Sequence, residues 1–197
     1  LFRFSVTLPI LRAIASDQPV GLVHFDAHCD TGDDYLGSKF HHGAPFRRAV
    51  EEGLVDPKRT IQIGIRGSLN DLDQWKFSHD TGMRVIYMEE FYEMGVKSVI
   101  DEIRRVAGDA PTYLTFDVDG LDPVYAAGTG TPEVGGFSTV EAQLMIRGCQ
   151  GLNLIGGDVV EVAPPFDPSG NTALTGATMM FEVLCVVADA VARRRDE

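Results

Sequence analysis

The chain has 197 residues, 44% of them hydrophobic and 23% charged, which suits a folded domain with a core of its own and excludes a disordered chain. A net charge of −12 excludes the basic face of a nucleic-acid binder and favours partners that are cations, metal ions among them. The three cysteines have no CxxC spacing, so neither a disulfide framework nor a zinc finger is expected, and a reducing, cytoplasmic setting is.

The chain opens without a methionine, on Leu1-Phe2-Arg3-Phe4, and reads as a piece of a longer protein. Leu8 to Ala15 follows as a helix. Val20 to Phe25 (VGLVHF) is the first strand, and Thr60 to Ile65, Arg84 to Met88, Tyr113 to Phe116 and Leu154 to Val162 are the others. Most are apolar on both faces, as buried parallel strands are. Pro45 to Glu52 is helical, and so is Phe91 to Val106, with Val96, Val99, Ile100, Ile103 and Val106 on one face. Ser138 and Glu141 form a capping-box pattern that opens a helix reaching Gln150. Thr172 to Arg193 is a long last helix with a basic end. No apolar run is expected to span a bilayer, which takes ~18–20 residues, and the N-terminus is not expected to be a signal peptide, lacking a basic stretch, an apolar stretch and a cleavage site in succession. Strand alternating with helix predicts an α/β fold on a parallel sheet, residues 1–197 being a single domain or part of one.

Chemistry concentrates at two strand ends. Asp26-Ala27-His28-Cys29-Asp30 follows the first strand, and Asp117-Val118-Asp119 follows Tyr113 to Phe116. In extended backbone, residues two apart share a face, so Asp26, His28 and Asp30 are expected to aim at one spot, as are Asp117 and Asp119. Open parallel sheets place their sites at such carboxyl ends. Unpaired carboxylates brought together repel, and a pair of divalent cations removes the repulsion. Oxygen-rich donors with one imidazole suit Mn²⁺, and carboxylates of adjacent strands can bridge two ions. Glu161 is a third acidic strand end. Cys29 alternates to the other face and is read as packing, and His24, inside the strand, likewise. Gly128 to Pro132 is read as a loop shaping a pocket rim, a nucleotide-binding role being weak because no strand precedes it and no helix follows. Gly156-Gly157 is expected to allow close backbone approach. His79 is read as a surface residue, and Trp75 and Phe77 as core or interface.

These segments resemble the arginase/agmatinase ureohydrolases, through DAHCD at 26–30, HHGAPFRRA at 41–49, TFDVDGLDP at 115–123, GTGTPEVGG at 128–136 and DVVEVAPPFDPSGNTAL at 158–174. SKFHHGAPFRRA and PPFDPSGNTAL resemble the agmatinase-like branch. The resemblance implies a three-layer arginase-type fold with helices on both faces of the sheet and N-terminal strands missing. It implies two Mn²⁺ ions holding a bridging hydroxide, with Asp26 and Asp117 bridging, His28 and Asp119 completing one ion and Asp30 ligating the other. It also implies Glu161 as the carboxylate that pairs with the guanidinium, His42 as the proton shuttle with His41 a bystander, and Asp30 as a second proton relay. The family's histidine ligand of the second ion falls at Phe4, which has no lone pair to give, so weak or absent binding of that ion is implied.

The activity so implied is Mn²⁺-dependent hydrolysis of a small guanidino compound, agmatine or a guanidino acid, to an amine and urea. Two alternatives stand beside it. A zinc-dependent deacylase of related fold would keep the Asp-x-His but would not need all of Asp30, Asp119 and Glu161. A catalytically inactive, metal-binding fragment accords with Phe4 and the missing strands. By resemblance the chain is a homo-oligomer, trimer or hexamer, and neither nucleic acid nor a membrane is expected as a partner. The 67–83 segment is expected at the pocket rim or a subunit contact, and Leu154 to Val162 at an open sheet edge.

Overall fold

A computed structural model describes residues 6–15, 17–69 and 73–196. Five strands form one parallel sheet: β1 (Val20–Phe25), β2 (Val55–Ile65), β3 (Arg84–Tyr87), β4 (Thr112–Asp117) and β5 (Leu154–Val160), in the order β3-β2-β1-β4-β5. Every residue of β1 and β4 is buried, which explains why neither strand has the polar, outward-facing half of an alternating pattern. β5 is an edge, as expected, and only its two terminal residues are buried.

Helices cover both faces. α4 (Met88–Ala107), α5 (Thr139–Gly148) and α6 (Asn171–Asp196) pack on the face that carries Val23, Phe25, Ile61, Ile63, Leu114 and Phe116. α1 (Thr7–Ile14) and α2 (Pro45–Glu51) pack on the opposite face, against Val20, Leu22, Val55 and Tyr113. The capping box of α5 is formed in both directions, with Ser138 Oγ accepting from the Glu141 amide at 3.2 Å and Glu141 Oε2 accepting from the Ser138 amide at 2.7 Å. Gly156 and Gly157 serve the close approach expected of them, since a Cβ on Gly157 would lie 2.6 Å from Val183 Cγ1 of α6.

Four expectations change. α4 begins directly after β3, at Met88, and is interrupted at Gly95 (φ 72°, ψ 156°), a conformation open to glycine, so the predicted continuous helix is two helical pieces joined at a kink. β2 starts five residues before Thr60, at Val55. Within the 67–83 segment, Asp73–Thr81 is a helix, α3, whose polar sequence hides its period; Trp75 packs with Tyr87 beside Cys29, Ile65 and Val85, while residues 70–72 lie outside the described residues. Finally, Asn171–Arg195 is long and apolar enough by length and composition to cross a membrane, with a mean hydropathy of 1.7, although polar residues interrupt its apolar run. Its Met179, Val183, Val186 and Ala190 are buried within the main core, so sheet packing accounts for that stripe.

Candidate metal centre

The site is built from the loops that leave β1 and β4. Strand β1 ends at Phe25, so Asp26 to Asp30 is loop and not extended backbone. The predicted convergence of Asp26 and His28 is real, but a turn brings it about: Asp26 Oδ1 accepts from the His28 amide at 2.6 Å and folds the imidazole back, leaving its Nδ1 3.3 Å from the same oxygen. Asp117 is the last residue of β4, and its Oδ1 accepts from the Asp119 amide at 2.7 Å, starting a 3-10 turn over Val118–Gly120. That turn aims Asp119 at the first loop. Asp119 Oδ2 lies 3.2 Å from His28 Nδ1, and Oδ1 accepts from the Ala27 amide at 3.2 Å.

Asp26, His28 and Asp119 thus offer ligand atoms all within 4.8 Å of one another. Asp30 and Asp117 stand outside that tight group and line, with Glu161 and His42, the wall of a cavity of about 390 Å³. Asp30 (φ 52°) and Glu161 (φ 63°) both occupy the left-handed region, uncommon for residues with a Cβ, and Glu161 sits one residue beyond the end of β5 and not on the strand as predicted. Tyr35, His41, Ser68, Thr131, Pro132 and Glu133 also line it, so the 128–132 loop reaches the rim through Thr131 and Pro132, and His41 joins His42 at the cavity.

Electrostatics at the centre are those of a site short of positive charge. Burial, with repulsion from neighbouring carboxylates, pushes Asp26, Asp30 and Asp117 well above the ordinary carboxylate range. Burial would raise Asp119 too, but its hydrogen bond and ion pair with His28 hold it below the usual value. Burial works against a charged His28, yet the carboxylates of Asp119 and Asp26 prevail and push it up to about 11. The imidazole of His28 is thus the cation lodged directly between the side chains of Asp26 and Asp119. A divalent cation would relieve the same repulsion more fully, and buried carboxylate oxygens with one imidazole nitrogen are a donor set that accepts Mn²⁺. The residues present fit such an ion.

Two supporting residues escape a reading of the sequence. His24, read as packing, is fully buried and its Nε2 lies 2.8 Å from Asp26 Oδ2; its place two residues before Asp26 on the same face was the available signal. Burial pushes its imidazole down to about 3, so it is neutral. Arg66, also buried, donates to the main-chain oxygens of Gly64, Asp119, Gly120, Leu121, Glu133 and Val134, tying the β4 loop to the rim loop. Nothing in the local sequence marks it. Phe4, the position of the expected missing ligand, lies outside the described residues.

Known proteins share this arrangement of fold and motif. The chain is 59% identical over 189 residues to a guanidinopropionase of Pseudomonas aeruginosa, covering 95% of this chain and 59% of that protein. It is 54% identical to a mitochondrial agmatinase of Gallus gallus, over 93% of this chain and 54% of that one. Among solved structures, proclavaminate amidino hydrolase from Streptomyces clavuligerus superposes with a TM-score of 0.91 at 39% identity, over 95% of this chain and 63% of the other. The arginase of Bacillus caldovelox superposes at 0.84 with 25% identity, over 92% and 66%. The chain therefore spans little more than half the length of the curated relatives it matches. Residues 4–186 match the Arginase family, and on that match the chain belongs to the Arginase family.

Proposed function

We propose that this chain carries the hydrolytic centre of a Mn²⁺-dependent guanidino hydrolase that converts agmatine or a guanidino acid to an amine and urea. The observation that carries the reading is the buried Asp26–His28–Asp119 group beside a cavity walled by Asp30, Asp117, Glu161 and His42. Relatives named guanidinopropionase, agmatinase and guanidino acid hydrolase support it, at 59%, 54% and 52% identity.

In this reading Asp26, His28, Asp30, Asp117 and Asp119 hold the metal. Divalent ions, when bound, supply a water nucleophile at neutral pH. The rest falls to the chain's own residues. Glu161 pairs with the protonated guanidinium and fixes its plane, as a carboxylate does in a bidentate pair. The carbon–oxygen bond to the water oxygen forms before the carbon–nitrogen bond to the tail breaks, and a proton given up by that water is passed to the departing nitrogen. His42, with Asp30 as relay, delivers the proton that lets the tail leave as an amine. The net charge of −12 draws a cationic substrate toward the cavity. By family resemblance the assembly is a trimer or hexamer, and the three cysteines without paired spacing support a reducing, cytoplasmic setting.

The resemblance places Phe4 where the family has a histidine, so the second ion is held by fewer ligands and turnover is impaired. A second reading, a chain that binds one ion without turnover, is favoured by the confinement of the tight ligand group to Asp26, His28 and Asp119. Urea release with added Mn²⁺, from this chain and from Phe4→His with the missing N-terminal part restored, tests both readings. Urea from the restored protein alone supports the impaired hydrolase; urea from neither, with one Mn²⁺ per chain, supports the second reading and overturns the first.

A further inference from the structure

One level beneath the ligands, a row of polar residues crosses the sheet. Gln62 of β2 is in register with His24 of β1, His24 with Thr115 of β4, and Thr115 with Asp158 of β5. On the same face below them lie Leu22 and Tyr113, and on the next level above lie Asp26 and Asp117. His24, Gln62 and Thr115 have no exposed surface. Burying such groups is costly unless they are hydrogen-bonded, and the bonded part of the row is the stretch from Gln62 through His24 to Asp26.

The bonds run in one direction. Gln62 Nε2 lies 2.6 Å from the main-chain oxygen of Cys29, which can only accept, so the amide nitrogen and not its oxygen faces that way. The same nitrogen lies 3.2 Å from His24 Nδ1, and its second hydrogen is donated there. Nδ1, as the acceptor there, carries no hydrogen, so the ring's N–H is on Nε2 and is donated to Asp26 Oδ2 at 2.8 Å. The other oxygen of Asp26 is held by the His28 amide at 2.6 Å. Both ends of the carboxylate are thereby fixed, while Gln62 also pins Cys29, the residue between His28 and Asp30. At the far end, Asp158 Oδ2 accepts from Thr7 of α1 at 2.7 Å and from Tyr113 at 3.1 Å, which ties β5 to α1 and to β4, apart from the Gln62–His24–Asp26 chain.

We propose that His24, set in one tautomer by Gln62, is a positioning residue that orients Asp26 for metal binding. The inference rests on the metal reading above. Residues behind the ligands that hold them in place typically change metal affinity about 10–100-fold when removed.

The test uses the full chain stripped of metal and titrated with MnCl₂, followed calorimetrically and by the spin-resonance signal of free Mn²⁺. His24→Phe keeps the ring beside Phe46, whose centroid is 4.4 Å away, but removes the donor. It is expected to bind Mn²⁺ about 10–100-fold more weakly than wild type. His24→Gln returns an N–H donor and is expected to recover most of the loss. Wild-type affinity in His24→Phe, or equal loss in both variants, overturns the proposal while leaving the metal reading intact. A wild-type chain that takes up no Mn²⁺ overturns both. Should His24→Phe not fold, Gln62→Met gives the same answer: nitrogen-15 spectra of the His24 ring are expected to lose the single Nε2–H form, with weaker Mn²⁺ uptake. An unchanged tautomer and affinity in Gln62→Met overturn the proposal.

Discussion

Arg66 Nη2 donates to the main-chain oxygen of Asp119 across 2.8 Å, so the turn that aims a metal-ligand candidate is held from behind by a buried guanidinium. The same nitrogen reaches the Glu133 oxygen at 2.7 Å, so one planar fork joins the ligand turn to the rim of the cavity. Burial depresses the Arg66 pKa, an effect opposed by nearby Asp119, and the cation is satisfied through carbonyl dipoles without a direct carboxylate partner among its hydrogen bonds.

A lysine cannot replace this fork, because its ammonium is a single point with three donors. Arg66→Lys is expected to leave buried carbonyls unpaired and to lower stability by about 2–3 kcal/mol. Urea denaturation of the metal-free chain measures it. A loss below ~0.5 kcal/mol, the range of ordinary surface changes, would show that the clamp is dispensable.

Ligand and substrate roles predict opposite signatures at Asp119 and Glu161. Asp119→Asn removes a charge that faces His28 at 3.2 Å and is expected to reduce Mn²⁺ per chain. Glu161→Gln is expected to leave metal content unchanged and, in a protein competent for urea release, to lower kcat/KM by about 10–100-fold, the worth of a charge-assisted hydrogen bond of ~1.5–3 kcal/mol. Metal analysis and urea release on both variants check the contrast, and loss of metal in Glu161→Gln contradicts the assignment.

The approach of α6 to the sheet depends on Gly157. A methyl group there would meet Val183 Cγ1 at 2.6 Å and the Leu114 main-chain oxygen at 2.8 Å, and the second of these cannot step aside without moving β4. Gly157→Ala is expected to cost about 1–3 kcal/mol through overpacking, read as a lower melting temperature. An unchanged melting temperature would mean that helix and strand separate freely.

Stability should also carry an acid limb unrelated to the metal centre. Hydrogen bonds from Arg105 (2.6 Å) and Arg84 (2.8 Å) hold Glu102 down to about 2, against an ordinary 4.5. A carboxyl whose folded pKa is depressed stabilises the fold above its unfolded pKa and loses that contribution as pH falls toward the folded one. The window is therefore from about pH 4.5 down to about 2. Because Arg105 is two-thirds exposed, screening limits the effect to about 1 kcal/mol. Glu102→Gln is expected to remove this part of the pH dependence in denaturation curves between pH 5 and 2, and superposable curves for the two chains would contradict it.

Local pattern was enough to reveal the strands, the capping box of α5, and the two acidic motifs that end β1 and β4. Each of these is written in residues close together in the chain: a β-branched run, a Ser and Glu three apart, an Asp-x-His. Polar α3 and the break at Gly95 were hidden, because one has no apolar period and the other sits inside an unbroken one.

Residue identity and spacing alone specify the inventory: which carboxylates and imidazoles the site has, and that parallel strands would deliver them to one end of a sheet. Tertiary structure decided how they meet. Turns and not extended spacing fold His28 and Asp119 together, left-handed backbone carries Asp30 and Glu161 to the cavity wall, and His24 and Arg66 take up their work only when neighbouring strands and loops arrive. The reason is physical: periodicity acts between residues a few places apart, whereas a buried hydrogen bond or cation is satisfied by whichever group the fold sets within about 3 Å, however distant in the chain.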